Sequence, residues 1–365
     1  MSVILMPTLN PNEKILQYIS ELKNKGFKSL IIVNDGSDEY VEDILRKVLE
    51  LKDEQFDIII LRHAVNLGKG RAIKNGINFY LTHLNDRYKG CHGLITVDSD
   101  GQHLVKDVLK IDELIEHKHW VGVILGCRDF NQKNVPFKSK YGNKITKIVF
   151  RVLYGTCISD TQTGLRGFSN ETLYKLINLY GERFEYETNV LIECIDKKIP
   201  IKETVIQTVY EDDNHGTHFN PVIDSIKIYY LLLARFLRYI LSSFSASLLD
   251  LFFFTIICRV VPLEIGTRIY IATFGARVVS SVYNYLVNKN IVFRYKKESV
   301  RTAIQYFLLC IIIMLISGFW VNSLYSILGG YELIIKCIVD TVLFLCNYFI
   351  QQKFIFRYGG REGCN

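Results

Sequence analysis

Asp98-Ser99-Asp100-Gly101-Gln102-His103 closes the apolar run Leu94-Ile95-Thr96-Val97. Such a β-branched run reads as a strand, and residues two apart on a strand project to one side. Asp98 and Asp100 can therefore approach one hard cation, Mg²⁺ or Mn²⁺, with Gly101 letting the chain turn beside a diphosphate. Taken alone, an Asp-x-Asp pair is more often a solvated turn than a metal site. Its neighbours decide between the two.

Residues 1 to 220 alternate short apolar runs with amphipathic stretches, the pattern of an α/β domain with a mainly parallel sheet. Strands are expected at Val3–Met6, Ser29–Val33, Phe56–Leu61, Leu94–Val97 and Val121–Leu125, with helices at Glu13–Lys25 and Glu39–Lys52. Ligands of such folds gather beyond the carboxyl ends of the strands, and every chemically distinctive cluster here follows a strand. Pro7-Thr8-Leu9-Asn10 follows the first and Asn34-Asp35-Gly36-Ser37 the second; His63 to Arg71, with Asn66 and Gly68-Lys69-Gly70, follows the third. A carboxylate such as Asp35 can accept from a ribose hydroxyl or a base edge, and Gly68-Lys69-Gly70 can bring backbone amides and a cation to a ligand. Singly these are ambiguous, because Asp-Gly-Ser is an ordinary turn and Gly-Lys-Gly is neither a Walker loop nor a dinucleotide fingerprint.

In this order, with Gly126-Cys127-Arg128 and Asp160-Thr161-Gln162-Thr163-Gly164-Leu165-Arg166-Gly167, they resemble glycosyltransferase family 2. Within it the similarity is to the dolichol-phosphate mannosyltransferase and polyprenyl-phosphate glucosyltransferase branch. The resemblance implies a GT-A fold, a Rossmann-like mixed sheet, with a nucleotide sugar near Pro7 and Asp35 and metal at Asp98, Asp100 and Gln102. The candidate nucleotide-sugar contacts are Pro7, Asn10, Glu13, Asp35, Asn66, Lys69 and Asp98. One departure concerns the first motif, where Pro11 stands in place of the family's frequent acidic residue and Glu13 lies further on.

The chain of 365 residues is 49% hydrophobic, with 22 Phe and 22 Tyr, and this apolar surplus is concentrated in its last third. Four stretches, at Phe236–Cys258, Ile265–Val287, Ala303–Tyr325 and Tyr331–Ile350, each approach the ~20 residues of a bilayer span. Lys227, Arg235 and Arg238 precede the first, Arg294, Lys296, Lys297 and Arg301 fill the middle connection, and Lys353, Arg357 and Arg361 follow the last. The positive-inside rule then puts the N-terminal domain and both termini in the cytoplasm, as an integral membrane protein. That topology accounts for the net charge of +7, so no nucleic-acid partner is expected; assembly as a homo-oligomer is left open. No secretory signal is expected from Val3–Met6, and the nine cysteines fit reduced thiols.

This region repeats itself: Asn284–Tyr295 aligns with Asn347–Tyr358 at an offset of 63 residues, identical at five of twelve positions. Each copy closes a two-span hairpin, as in parallel-repeat transport proteins. The four-span region resembles the GtrA-like membrane domain, associated with flipping or retaining polyprenyl-linked sugars. Asp250, Arg268, Arg277, Asn284, Lys336, Asp340 and Asn347 lie inside the apolar stretches, where charge is costly. The expected domains are therefore 1–220 for the transferase, 221–238 for an interface helix or linker, and 236–358 for the membrane domain.

Between Arg128 and Asp160, the positions Tyr141, Ile145, Ile148, Val149 and Val152 follow helical spacing beside a stripe of Lys140, Lys144, Lys147 and Arg151. A helix over about 138–154 with this pattern would lie among anionic headgroups. A polyprenyl phosphate is already anionic, so its oxygen can attack the anomeric carbon without a protein base, and one displacement inverts that centre. Asp100 with its metal, together with Arg128, Lys138 and Arg166, is then the catalytic set: metal neutralises the departing nucleoside diphosphate and the cations grip the lipid phosphate. Glu185, Glu187 and His103 are further candidates, and the stretch Tyr210–Phe219 could order over the site. A processive polysaccharide synthase would carry a Gln-x-x-Arg-Trp element that this chain lacks, and a nucleotidyltransferase a glycine-rich basic loop near Pro7–Glu13. The rival from another class is a lipid-linked-sugar carrier or flippase whose soluble half only binds a nucleotide sugar.

Overall fold

A computed structural model describes residues 1–117, 120–130, 137–207, 223–262, 264–295, 300–329 and 332–356. The chain forms two compact units, Met1–Leu231 and Leu232–Asn365. In the first, strands and helices alternate: β1 (Val3–Thr8), α1 (Lys14–Asn24), β2 (Ser29–Asn34), α2 (Val41–Glu50), β3 (Asp57–Arg62), α3 (Lys69–Thr82), β4 (Gly93–Thr96), α4 (Val105–Glu116) and β5 (Val123–Arg128). Then follow α5 (Phe137–Tyr154), β6 (Arg166–Ser169), α6 (Asn170–Leu176), α7 (Glu185–Lys197) and β7 (Ile201–Ile206). All five expected strands form, within two residues of their expected starts. The helix expected at about 138–154 forms as α5.

The strands make one sheet in the order β3-β2-β1-β4-β6-β5-β7. Every residue of β1 is buried, as a strand covered on both faces requires, and Ile4, Met6, Ile32, Ile95 and Ile124 join residues of α1 and α4 in the core. Burying each such side chain contributes about 1.5–3 kcal/mol. Two strands escape the sequence pattern. β6 is four residues long and begins with an arginine, and β7 has an exposed, polar alternation. β6 runs antiparallel to both β4 and β5, so the sheet is mixed. Because β6 reverses twice, β4 and β5 point the same way. Their carboxyl ends share one sheet edge, two strand spacings or roughly 10 Å apart. That edge places Asp98 and Arg128 side by side along the sheet.

The second unit is helical: α8 (Ile223–Val260), α9 (Ile265–Val287), α10 (Val300–Leu328) and α11 (Glu332–Ile350). The expected interface segment and first span are one continuous helix of 38 residues, α8. Helices cover all four expected apolar segments, and three of them, within α8, α10 and α11, are long and apolar enough to cross a bilayer among the described residues. α9, which carries Arg268 and Arg277, is not in that set. It runs antiparallel to α8, as the pairs Ser242–Asn288, Tyr283–Ser245 and Ser280–Asp250 show. α9 and α11 each end in a π-helical turn, Asn288–Val292 and Gln351–Ile355, at equivalent positions of the repeat. Equivalent residues meet there. Asn288 Nδ2 donates to Gln351 Oε1 at 3.0 Å, and the rings of Phe293 and Phe356 stack with centroids 5.0 Å apart.

Candidate functional site

The loop after β2 organises the loop after β3. Asp35 is buried, and its carboxylate accepts from the backbone N–H groups of Leu67 (2.9 Å) and Gly68 (2.8 Å) at the start of α3. Its Oδ1 also meets His63 Nδ1 at 2.7 Å, while His63 Nε2 lies 2.8 Å from the Asn75 amide. The amide donates to Nε2, which leaves the proton on Nδ1 facing Asp35. Gly36, at φ +71°, is needed because a Cβ there would enter the backbone of Val65 and Asn66. The carboxylate expected to meet ribose or base holds Asn66, Leu67 and Gly68 at the sheet edge, with Asn66 exposed.

That loop delivers Lys69 to the carboxylates after β4. Lys69 Nζ lies 2.7 Å from Asp98 Oδ1 and 3.2 Å from Glu187 Oε1 of α7. Burial works against the ammonium, but the two carboxylates outweigh it and hold the lysine pKa well above its ordinary value. Burial likewise opposes the Asp98 carboxylate; Lys69 and His103, whose Nε2 is 3.4 Å from Oδ2, keep its pKa well below the usual range. Asp100 behaves oppositely, pushed up by burial and by the charge of Asp98. Its Oδ1 accepts from the Gln102 N–H at 3.1 Å, folding Gln102 back toward the pair. Gly164 closes the site from the β6 side, and a Cβ there would run into the Asp98 carboxylate.

Arg128, at the end of β5, is gripped by the fully buried Asp160, with Nε to Oδ2 at 2.7 Å and Nη2 to Oδ1 at 3.0 Å. The loop from Asp160 to Leu165 spans the edge: Thr163 Oγ1 donates to Gly126 O, and Gly164 O accepts from Thr96 Oγ1. Beside Arg128 opens a cavity of about 720 Å³ that Lys140, Asn143, Lys144 and Lys147 of α5 also line. α5 buries Asn143, Thr146, Phe150 and Leu153 and exposes Tyr141, Ile145, Ile148 and Val152.

Glycosyl transferase family 2 matches residues 3–176, and the GtrA/DPMS transmembrane domain matches residues 238–356. An uncharacterized protein of Methanocaldococcus jannaschii is 30% identical over 236 residues, covering 64% of this chain and 90% of its own length. The chain is a family 2 glycosyltransferase joined to a GtrA/DPMS transmembrane domain. The UDP-N-acetylglucosamine–dolichyl-phosphate N-acetylglucosaminyltransferase of Methanococcus voltae is 29% identical over 246 residues, 63% of this chain and 94% of that protein. Among solved structures, mannosyl-3-phosphoglycerate synthase from Rubrobacter xylanophilus aligns with a TM-score of 0.47 at 13% identity, over 65% of this chain and 74% of that one. This glycosyltransferase is an enzyme and a membrane protein, with a mixed seven-stranded sheet in its first unit and apolar helices in its second.

The transferase unit gathers Asp98, Asp100, Gln102 and Lys69, with Arg128 further along the same edge. Arg166 is not part of that surface: it is fully buried and donates to the carbonyls of Thr163 (2.8 Å) and Glu187 (2.7 Å), bracing the loop behind Asp98. Glu13 is exposed and pairs with Lys47 at 2.8 Å. Asn10, in a left-handed conformation, exchanges hydrogen bonds with Asp38 at 2.9 Å, and Pro7 lies in β1 opposite Val33. Glu185 accepts from the N–H groups of Glu182 and Arg183. The side chain of Lys138 and the stretch Tyr210–Phe219 lie outside the described residues. Tyr18 of α1 was not expected here. Among the described residues its buried hydroxyl has no hydrogen-bond partner, and burial together with Asp100 and Asp98 raises its pKa. In the sequence it is indistinguishable from the core face of α1, so no spacing singles it out.

Proposed function

We propose that the enzyme transfers a hexose from a nucleotide sugar, of the GDP-mannose or UDP-glucose type, to a dolichyl or undecaprenyl phosphate at the membrane surface. The observation that carries this reading is the cavity at Arg128, where Lys140, Lys144 and Lys147 outnumber the carboxylates of Asp129 and Glu203, beside a helix whose exposed side is apolar and whose flank is basic. An anionic headgroup on an apolar chain is the ligand that suits both features. The Methanococcus voltae relative, named for transfer to dolichyl phosphate, supports the same acceptor class.

Asp98, Asp100 and the Gln102 amide would hold a divalent cation, Mg²⁺ or Mn²⁺. All are hard oxygen donors, and burial together with the Asp98 charge disfavours the Asp100 carboxylate, a penalty that a bound cation would offset. Among the described residues no cluster of three or more His, Cys, Asp or Glu forms a complete cage. Two carboxylates with substrate phosphates and water filling the other positions is a common arrangement for Mg²⁺. When bound, the cation neutralises charge developing on the nucleoside diphosphate as it departs. Lys69, clamped between Asp98 and Glu187, supplies fixed positive charge at the same place. Arg128, oriented by Asp160, binds the acceptor phosphate, while Lys140, Lys144 and Lys147 draw it to the cavity. The phosphate oxygen needs no base, so the residues act by positioning and electrostatics, and a single displacement inverts the anomeric carbon. Arg166 is a positioning residue for the Asp160–Leu165 loop.

The basic residues flanking the helical unit support four spans with the transferase unit and both termini in the cytoplasm. The test is transfer of labelled sugar from a panel of UDP- and GDP-sugars to undecaprenyl and dolichyl phosphate, with Mg²⁺, Mn²⁺ or chelator. Metal-dependent labelling of lipid is expected. Nucleotide binding without turnover for every donor would overturn the reading in favour of a carrier.

A further inference from the structure

Tyr18 is buried at a cost that the metal-free fold does not offset. It belongs to the apolar cluster that also holds Met6 of β1, Ile15 and Ile19 of α1, Val97 after β4 and Val105 of α4, and it is 8% exposed. Among the described residues its hydroxyl has no hydrogen-bond partner. A phenylalanine would fill the same space without burying an unpaired hydroxyl. The fold also says where that hydroxyl points. β1 and β2 are parallel neighbours joined through α1, so α1 runs back against them and its N-terminus lies at the carboxyl edge of the sheet. Long helical side chains lean toward the N-terminus of their helix, and Tyr18 stands one turn into α1. Its ring therefore leans toward the edge where the Asp98–Asp100 loop leaves β4.

That proximity is felt electrostatically: after burial, the charges of Asp100 and then Asp98 are the largest causes raising the Tyr18 pKa. The two carboxylates are not equally open to its hydroxyl. Asp98 is engaged by Lys69 at 2.7 Å and by His103 at 3.4 Å. Among the described residues Asp100 accepts only the Gln102 N–H, through Oδ1, which leaves Oδ2 open. Tyr18 is thus a donor without an acceptor, beside an acceptor with an oxygen to spare. Carboxylates that ligate a metal are themselves hydrogen-bonded by residues behind them. We propose that Tyr18 is a positioning residue of the cation site: with a divalent cation bound, its hydroxyl donates to the Asp100 carboxylate and orients it toward the cation. The inference rests on the cation assigned above to Asp98 and Asp100. A phenol suits this task because it donates a hydrogen bond without bringing a charge that would repel the cation, as a lysine there would.

The test is binding of Mn²⁺ alone to the full chain in detergent, read from the electron paramagnetic resonance signal of free Mn²⁺, with thermal unfolding of the metal-free protein alongside. Tyr18→Phe removes the hydroxyl and keeps the ring. It is expected to weaken Mn²⁺ binding about 10–100-fold, the usual effect of losing a partner behind a metal ligand. Its metal-free unfolding temperature should equal or exceed that of wild type, because an unpaired buried hydroxyl has been removed. Asp100→Ala should also weaken Mn²⁺ binding, and adding Tyr18→Phe to it should change little, since the hydroxyl then has no ligand to orient. Mn²⁺ binding by Tyr18→Phe within about threefold of wild type would overturn the proposal, as would a fully additive loss in the double variant. A lower metal-free unfolding temperature for Tyr18→Phe would overturn it too, by giving the hydroxyl a structural partner. Equal Mn²⁺ binding by wild type and Asp100→Ala would overturn the cation site itself and this inference with it.

Discussion

Gly164→Ala tests whether the Asp98 carboxylate is the fulcrum of the site. The Gly164 backbone is not left-handed, so an alanine can adopt it and the effect is steric. Its Cβ would lie 2.6 Å from Asp98 Cγ and Oδ1 and closer still to Oδ2, whereas ordinary contact begins at 3.4 Å. The carboxylate must retreat by about 0.8 Å or more, and displacements near 1 Å in a reacting geometry cost about 100-fold. Lys69 at 2.7 Å and His103 at 3.4 Å resist that retreat, so the strain falls on the site. We expect kcat/KM to fall about 100-fold, equivalent to about 2.7 kcal/mol of transition-state stabilisation. The metal concentration for half-maximal rate should rise with it. Steady-state transfer over a Mn²⁺ titration measures both, with thermal unfolding as the control for folding. A kcat/KM within threefold of wild type, at an unchanged metal requirement, would refute the placement of metal on Asp98.

Asp160→Ala removes the buried partner of Arg128; because Arg128 is partly exposed, the cost should sit near the lower end of the range for broken buried pairs, about 3 kcal/mol, read by denaturant unfolding together with a raised acceptor KM. Lys144→Glu with Lys147→Glu should weaken binding to anionic vesicles about tenfold or more, from about 1 kcal/mol per basic residue, and the difference should shrink in high salt. Chelation should abolish transfer and either Mg²⁺ or Mn²⁺ restore it, measured as labelled lipid. Asn288→Leu alone leaves the buried Gln351 amide short of a partner and should cost about 1–3 kcal/mol. Adding Gln351→Leu should cost less than the sum of the two single changes, measured as a thermal double-mutant cycle in detergent.

The sheet and the motif positions were legible because strands buried on both faces are written as uninterrupted apolar runs, and because ligand loops follow them. What each polar residue does with its side chain was not legible. Asp35 and Arg166 have the types and positions of ligand contacts, yet both are buried and committed to backbone groups. A one-dimensional pattern places them at the functional edge but cannot say which way they face. Arg128, expected to grip the lipid phosphate, is held by Asp160 and lines the cavity, and the buried aspartate that holds it follows no spacing a sequence shows. β6 was hidden because its four residues carry too few apolar side chains to register as a run.

The repeat was visible as an offset of 63 residues, but its consequence needed coordinates. Repeats related by translation along the chain need not touch; here Asn288 meets Gln351, and Phe293 meets Phe356, each residue against its own counterpart. Self-meeting of equivalent positions places a pseudo-twofold axis between the hairpins at their π-helical turns. The same operation carries Arg277 onto the position of Asp340, so one hairpin presents a cation where the other presents a carboxylate. The matched polar and aromatic pairs hold the halves together, and deeper in each hairpin a base pairs with an acid, Arg277 with Asp250 and Lys336 with Asp340. Charge at that depth is costly, and pairing each base with an acid of its own hairpin lowers that cost.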